Sequence, residues 1–479
     1  MSDTQSRQPQ SREPRAPRGA PTDFVQPARR VAYEVIAAVR ESDAYANLLL
    51  PTRIQRAALN TADAGLATEL TYGTLRMQGL YDRVIALAAG RAVTAIDPAI
   101  LDVLRLGTHQ LLATRVATHA AVNESVSLAK QVGSRSATGF TNGVLRTISR
   151  SSAEEWLERV LADAGNDDDR LAAEHSHPSW VVRAFRQSLR NEGRENELVE
   201  LLVADNVPAK VNMVALPGLT SKDDTDKLGE PDAFSPTGFV LAGGDPYHLM
   251  SAAGGRVRVQ DEGSQLAALS LSRARAVKPG ERWLDLCAGP GGKAALLAAE
   301  ARSHGAELVA NELVPARATL VRNALAAIPE KIPVWELDGT RIAEKHPEEF
   351  DRILLDAPCT GLGALRRRPE ARWRKQPKDV AELAGLQSGL IDAALGALKP
   401  GGILAYVTCS PHTAETRSIV ATALKKWAGK VSALDTAAVV QSLSSSELDL
   451  AGDPSSVQLW PHRHGTDAMF ITLLERHTE

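Results

Sequence analysis

A chain of 479 residues, 44% hydrophobic and 24% charged, is long enough for about three domains with ordinary buried cores and is not wholly disordered. Its formal net charge of -3 excludes a strongly cationic protein overall, although a local basic surface can still hold nucleic acid. Three cysteines are odd in number and too sparse for a disulfide scaffold, which fits a reducing cytosol, and no apolar run approaches the roughly 20 residues that span a bilayer.

Residues 1–26 are rich in Ser, Arg, Gln and Pro and lack the apolar core of a signal peptide. They read as a basic, disordered tail, either a solubility segment or linker or a weak nucleic-acid contact. From Pro27 the pattern turns helical. Val31, Val35 and Val39 recur every four residues and so share one helix face. Asp97 before Pro98 is an N-cap and first-turn pair, followed by an apolar stripe of Ile100, Leu101, Leu104, Leu111 and Leu112. Residues 27–150 are therefore predicted all-helical. Between Glu154 and Glu174 eight acids face two arginines, which marks a hinge or a solvated helix face.

The next stretch is mixed. Trp156–Leu161 and Val181–Leu189 are predicted helical, and Lys210–Val214 and Gly238–Leu241 as short strands. Residues 219–237 are polar and turn-rich and read as a surface excursion. A small α/β module fits. From Val277 onward the rhythm changes again. Trp283–Cys287, Glu307–Glu312, Ile332–Leu337, Arg352–Asp356, Gly402–Thr408 and Met469–Leu474 are strand candidates, with helices predicted over 291–303, 314–327 and 380–398. This alternation predicts a parallel sheet covered by helices, which binds ligands outside the carboxyl ends of its strands.

Three features lie at those ends. The first is a turn between the first strand and a helix, Cys287, Ala288, Gly289, Pro290, Gly291, Gly292 and Lys293. Its glycines permit close backbone approach and unusual dihedrals, yet it is neither the dinucleotide fingerprint nor a Walker A loop. On its own it is as readily structural as functional. Glu312 ends the second strand, 27 residues after Asp285, where a carboxylate can accept from both ribose hydroxyls, and Asp338 ends the third near an adenine edge. Arg317 is a further candidate on the cofactor side. Cys287 is expected to fill space below the ligand.

The second feature is a pair of cysteines, Cys359 after the fourth strand and Cys409 after the fifth. If these strands are neighbours, both thiols face the cleft that the glycine turn borders. No metal site is expected, because the close paired spacing of a structural zinc site is absent. The third feature is the segment from Arg366 to Lys378, with seven basic residues against one acid, a local +6. It is either a solvated loop or a phosphate-contacting one, with Trp373 offering a stacking surface.

Together these stretches resemble the RsmB/Nop2/Sun family of RNA cytosine-5 methyltransferases. The resemblance is carried by Val259-Gln260-Asp261, the run from Asp285 to Lys293, the run from Asp351 through Asp356 to Cys359, and Thr408-Cys409-Ser410. The family usually has Ala at Gly289 and His at Arg368. Lys210-Val211-Asn212 stands where Arg-Val-Asn is usual, and His464-Gly465-Thr466-Asp467 resembles the closing motif.

Beyond the tail of 1–26 read from composition, the resemblance implies a NusB-like helical RNA-binding domain over 27–150. It further implies a small α/β module over 151–254 and a Rossmann-like methyltransferase domain over 255–479. It implies S-adenosylmethionine as cofactor, held by residues 287–293, Glu312, Arg317, Asp338 and Asp356, and RNA, small-subunit ribosomal RNA above all, as substrate. Cys409 is then the nucleophile toward cytosine C6, Cys359 assists release, and Asp356 binds the cytosine N3/N4 edge. Lys293, Arg366, Arg367, Arg372 and Trp373 are the candidate RNA contacts. A cytoplasmic monomer without membrane attachment is expected. Two other readings stay open: a DNA cytosine-5 methyltransferase with Cys359 as nucleophile, and an RNA-binding assembly factor without turnover.

Overall fold

The computed structural model describes residues 25–42, 44–221 and 225–478. The expected tail thus lies almost wholly outside the described residues. No helix among the described residues is long and apolar enough to cross a membrane. The chain divides into two compact units. The first takes residues up to Ala44, then Leu48–Thr74 and Tyr81–Trp156, and the second takes Tyr45–Asn47, Leu75–Leu80 and Leu157 onward.

The first unit is all-helical, as its periodicity predicts. Its helices include Pro27–Glu41, Pro98–Ala113, Thr118–Val132 and Arg135–Ile148. Val31, Val35 and Val39 are buried along one face of the first of these. The Asp97 carboxylate accepts from Ala99 N and Ile100 N at 3.0 and 3.2 Å, and so satisfies two of the helix's otherwise orphan amides. Asp102 is buried on the polar flank of that helix. It is paired with Arg40 at 2.7 Å and with Arg105 one turn away at 3.1 Å, and Arg105 reaches Asp82.

The second unit holds two sheets. Strands β1 (Asn212–Ala215), β2 (Gly229–Pro231), β3 (Gly238–Leu241) and β4 (Val257–Val259) form an antiparallel sheet in the order β2-β3-β1-β4. The described part of 219–237 lies largely at the surface, as its polarity predicts, but it is not a plain loop. That segment contributes a strand, and it buries Asp232 and Ser235 because Asn212 and Gln265 supply them with hydrogen bonds.

Among the described residues the larger sheet has eight strands: β5 (Arg282–Asp285), β6 (Glu307–Asn311), β7 (Val334–Trp335), β8 (Phe350–Asp356), β9 (Leu398–Thr408), β10 (Val431–Ala433), β11 (Ser456–Gln458) and β12 (Phe470–Arg476). Their order is β10-β12-β9-β8-β5-β6-β7, with β11 on β12. Strands β5 to β9 are parallel, and β12 returns antiparallel to β9. Successive side chains of β9 alternate between two cores. Ile403, Ala405 and Val407 pack into one, and Leu404 and Tyr406 into the other. Helices Glu262–Ser272 and Gly292–Ser303 cover the first face and Pro377–Ala397 and Arg417–Lys426 the second. Burial on both faces is why these strands read as continuous aliphatic runs.

The chain runs outward from β5 through β6 to β7, then crosses back to β8 on the other flank of β5. That reversal opens a crevice at the carboxyl ends of β5 and β8.

Candidate active site

The glycine turn leaves β5 at this crevice. Gly291 sits at φ 104°, and a side chain there would strike Ala324 at 2.5 Å. At Gly289 a Cβ would lie 2.1 Å from the Glu312 carboxylate, so the turn is drawn against the end of β6 by its lack of a side chain. Several of its amides are engaged within the protein. Ala288 N donates to Asn311 O at 2.9 Å, Gly289 N to Glu312 Oε2 at 3.1 Å, and Gly291 N to Ala288 O at 2.6 Å. The first-turn amides of the helix starting at Gly292 have no intrahelical acceptor and supply the donors that remain.

Glu312 also accepts from Val314 N at 3.0 Å, which uses about half the lone-pair capacity of its carboxylate and leaves the rest for a ligand. Arg317 latches the turn by donating to Gly289 O at 2.8 Å, with its guanidinium 3.6 Å from Glu312. Asn311, missed in the sequence, ties three strand ends together through Leu286 O and both backbone groups of Leu337. Asp338 is exposed and accepts from Thr340 N and its hydroxyl. Those bonds hold its carboxyl below the usual range. Cys287 packs against the core beneath the turn, and burial pushes its thiol up.

Asp285 closes β5 under this turn. Its carboxyl group is fully buried, and a backbone hydrogen bond at Cys287 and the Lys293 charge offset that burial only in part. Burial, with the nearby Asp356 charge, pushes it up to about 8. An acid ending a strand just before the glycine turn was the signal in the sequence. Lys293 donates to Asp356 Oδ2 at 2.9 Å. Burial opposes the lysine's charge, but the carboxylate outweighs it and holds the ammonium above its ordinary value.

The sheet places β8 beside β9, so Cys359 and Cys409 do meet. Their sulfurs are 3.4 Å apart, and both residues are partly exposed. The hydrogen bond from Cys359 lowers the Cys409 thiol despite burial, with further help from the Lys293 and Arg368 charges. The same bond, followed by burial, raises Cys359 well above the ordinary range. The two thiols are thus pushed apart, Cys409 down and Cys359 up, which makes Cys409 the more readily ionised of the pair.

The basic segment departs from expectation. Arg366 is buried and donates to Gly465 O at 2.7 Å. Arg367 donates to Asp261 at 2.8 Å, Asp467 at 3.1 Å, Asn212 at 3.1 Å and Lys210 O at 3.0 Å. Arg372 is fully buried, bonded to Ser176 O at 2.9 Å and Asn206 Oδ1 at 3.0 Å, and burial pulls it down to about 10. The Trp373 ring packs on Gly79, whose Cβ would lie 2.2 Å away, and its indole nitrogen is buried. The three arginines turn toward the protein's own carbonyls and carboxylates and the Trp373 ring toward Gly79, so internal contacts take up most of what these side chains could offer RNA. Arg368 and Lys378 are the exposed cations here, and Arg368 lies 5.1 Å over the exposed ring of Tyr45, which the sequence reading also missed.

The site fits a cationic, nucleoside-bearing ligand. Glu312 and Asp356 place carboxylates at the strand ends on either side of Asp285, with Lys293 beside them, and Asp285 is a buried acid that burial holds protonated and that a bound cation would favour ionising. S-adenosylmethionine carries a sulfonium, an ammonium and a ribose, and these residues suit all three.

Comparison with known proteins agrees with this geometry. The family described as 16S rRNA methyltransferase RsmB/F matches residues 273–475, and the NusB family matches 26–150. A Mycobacterium tuberculosis protein, MT1451, is 46% identical over 97% of this chain and 99% of its own. The ribosomal RNA small subunit methyltransferase B of Pseudomonas syringae is 30% identical, covering 93% of this chain and 96% of that protein. The crystal structure of PH0851 superposes with a TM-score of 0.77 at 21% identity, covering 95% of this chain and 99% of that one, and it supports the fold. A methyltransferase-type sheet and glycine turn, and full-length similarity to RsmB proteins, lead to one conclusion: the chain belongs to the RsmB family of S-adenosylmethionine-dependent RNA methyltransferases, with a NusB-like N-terminal domain.

Proposed function

We propose that the protein methylates C5 of a cytosine in small-subunit ribosomal RNA through a covalent adduct between Cys409 and C6. One observation carries the reading: the two sulfurs lie 3.4 Å apart at the ends of neighbouring parallel strands, beside the Lys293–Asp356 pair.

Cytosine C5 is a poor nucleophile until a group adds at C6. The Cys409 thiolate forms the S–C6 bond, and the ring electron pair moves toward C5. Asp356 holds the N3/N4 edge while charge develops there, and Lys293 fixes Asp356 in place. When bound, against residues 287–293, Glu312 and Asp338, S-adenosylmethionine supplies a methyl group activated by its sulfonium. C5 bonds the methyl carbon, leaving the cofactor as its thioether. A water molecule then takes the C5 proton, the electron pair returns to the ring, the S–C6 bond breaks, and Cys409 leaves as thiolate. Cys359 keeps its proton and donates a hydrogen bond to the departing sulfur, and a stabilised thiolate leaves faster. A reducing cytosol, in which neither thiol is consumed by oxidation, suits this chemistry.

Denaturing gels of purified variants incubated with RNA and S-adenosylmethionine test the assignment. Cys409→Ala is expected to fold, bind cofactor and form no adduct, whereas Cys359→Ala accumulates a protein–RNA adduct. An adduct from Cys409→Ala but none from Cys359→Ala would reverse the roles. Normal turnover without either sulfur would reject covalent catalysis, and methyl transfer to DNA in preference to RNA would reject the substrate.

A further inference from the structure

Behind the two sulfurs lies a carboxylate that the chemistry does not touch. Glu415 is fully buried, on a short turn, Thr413–Glu415, beyond the end of β9. Its Oε1 accepts Thr360 N–H at 2.7 Å, and its Oε2 accepts the hydroxyls of Thr360 at 2.5 Å and Ser410 at 2.6 Å. Thr360 directly follows Cys359 and Ser410 directly follows Cys409, so one side chain grips the loops that leave two neighbouring strands. The glutamate is itself fixed from both sides. Tyr406 on β9 donates to its backbone carbonyl at 2.8 Å, and Gln387 donates to Pro358 O at 2.8 Å while its amide also reaches Glu415 at 3.4 Å. A buried carboxylate is costly unless its lone pairs are filled, and here every donor comes from a residue that flanks or supports a cysteine.

We infer that Glu415 is a positioning residue that sets the spacing of Cys359 and Cys409 by pinning the residue after each of them. The inference rests on the reading that this pair carries the chemistry. The sulfur–sulfur hydrogen bond weakens steeply with distance, so slack in either loop weakens the contact through which Cys359 lowers the Cys409 thiol. Glutamine can still accept Thr360 N–H through its single oxygen, but it replaces the second acceptor with an amine and loses the grip on the hydroxyls as donors. Alanine loses both.

The test uses the full chain with Glu415→Gln and Glu415→Ala, and two readouts that need no turnover. One is the rate at which an azo dicarboxamide oxidant joins the cysteines: each thiol gives up a hydrogen to the N=N bond, the S–S bond forms, and the oxidant leaves as the hydrazine. Peptide mapping identifies the pair. The other is the pH profile of Cys409 alkylation by iodoacetamide. Glu415→Ala is expected to slow cross-linking by roughly tenfold, to move Cys409 alkylation to higher pH, and to cut kcat by roughly 10²-fold with KM for RNA within about twofold. Glu415→Gln is expected to fall between it and the parent in all three, and it decides the matter alone if the alanine variant does not fold. Parent-like cross-linking and alkylation in Glu415→Gln would overturn the inference, whatever happens to kcat. Turnover by Cys409→Ala would instead overturn the covalent reading and leave the sulfur-spacing result standing.

Discussion

At the scale of single residues, the crevice stores an electrostatic cost that function must recover. Asp285 is fully buried and pushed up to about 8, so the folded apoprotein holds a proton that the unfolded chain gives up near pH 4. A carboxyl raised in this way contributes stability that is complete below its unfolded value and is lost as pH rises through about 8. Asp205 and Asp232, both pushed up to about 7 mainly by burial, act in the same direction. Apoprotein stability is therefore expected to fall between pH 5 and pH 8. Asp285→Asn removes one proton from that linkage, flattening the slope by up to about 1.4 kcal/mol per pH unit and raising the melting temperature at pH 8. The same change removes a carboxylate suited to a cationic ligand, so S-adenosylmethionine affinity should weaken by about 1–3 kcal/mol. Melts at pH 5 and pH 8 with calorimetric titration check both halves, and an unchanged pH slope would show that Asp285 is already ionised.

At the scale of elements, the sequence reveals what is periodic and hides what is tertiary. The strands β5, β6, β8 and β9 were legible because two-sided burial writes unbroken aliphatic runs. The edge strand β7 shrinks from the six residues expected to Val334–Trp335 because few neighbours hold it. The cysteine pair was legible from Pro-Cys and Thr-Cys-Ser only once the strands were taken as neighbours. Glu415 was not, since its meaning comes from four donors brought together by three separate segments.

Gly363 is similarly silent in sequence. Its N–H donates to Cys409 O at 2.9 Å and its carbonyl accepts Ala468 N–H at 2.8 Å. A Cβ there would lie 2.1 Å from Ala468 O and 2.9 Å from Cys409 O. Gly363→Ala must therefore push the nucleophile's backbone out of register, at a stability cost of about 1–3 kcal/mol. Single-turnover adduct formation is expected to slow by roughly 10²-fold while cofactor affinity stays unchanged. An adduct rate equal to the parent would show that the loop gives way without moving Cys409.

At the scale of the whole molecule, charge counts alone mislead, because counting does not say which way a side chain turns. The segment 366–378 carries seven cations, yet Arg367 is the hub where three signature stretches meet, through Lys210 and Asn212, Asp261, and Asp467. Asp261 and Asp467 are nearly buried, so Arg367→Ala leaves two carboxylates without their counter-charge and should cost roughly 3–5 kcal/mol of stability. Arg368 and Lys378 are exposed, and Lys375 is partly so. Replacing these three with alanine should leave the melting temperature near that of the parent and weaken RNA binding. If each neutralises one phosphate, the slope of log affinity against log salt falls by about 2, at roughly 0.7 per contact for single-stranded RNA. Filter binding across a salt series, with melts run alongside, separates the two classes. A parent-like salt slope in the triple variant would move the RNA path away from this loop, and a parent-like melting temperature for Arg367→Ala would show that its ion pairs do not hold the signature stretches together.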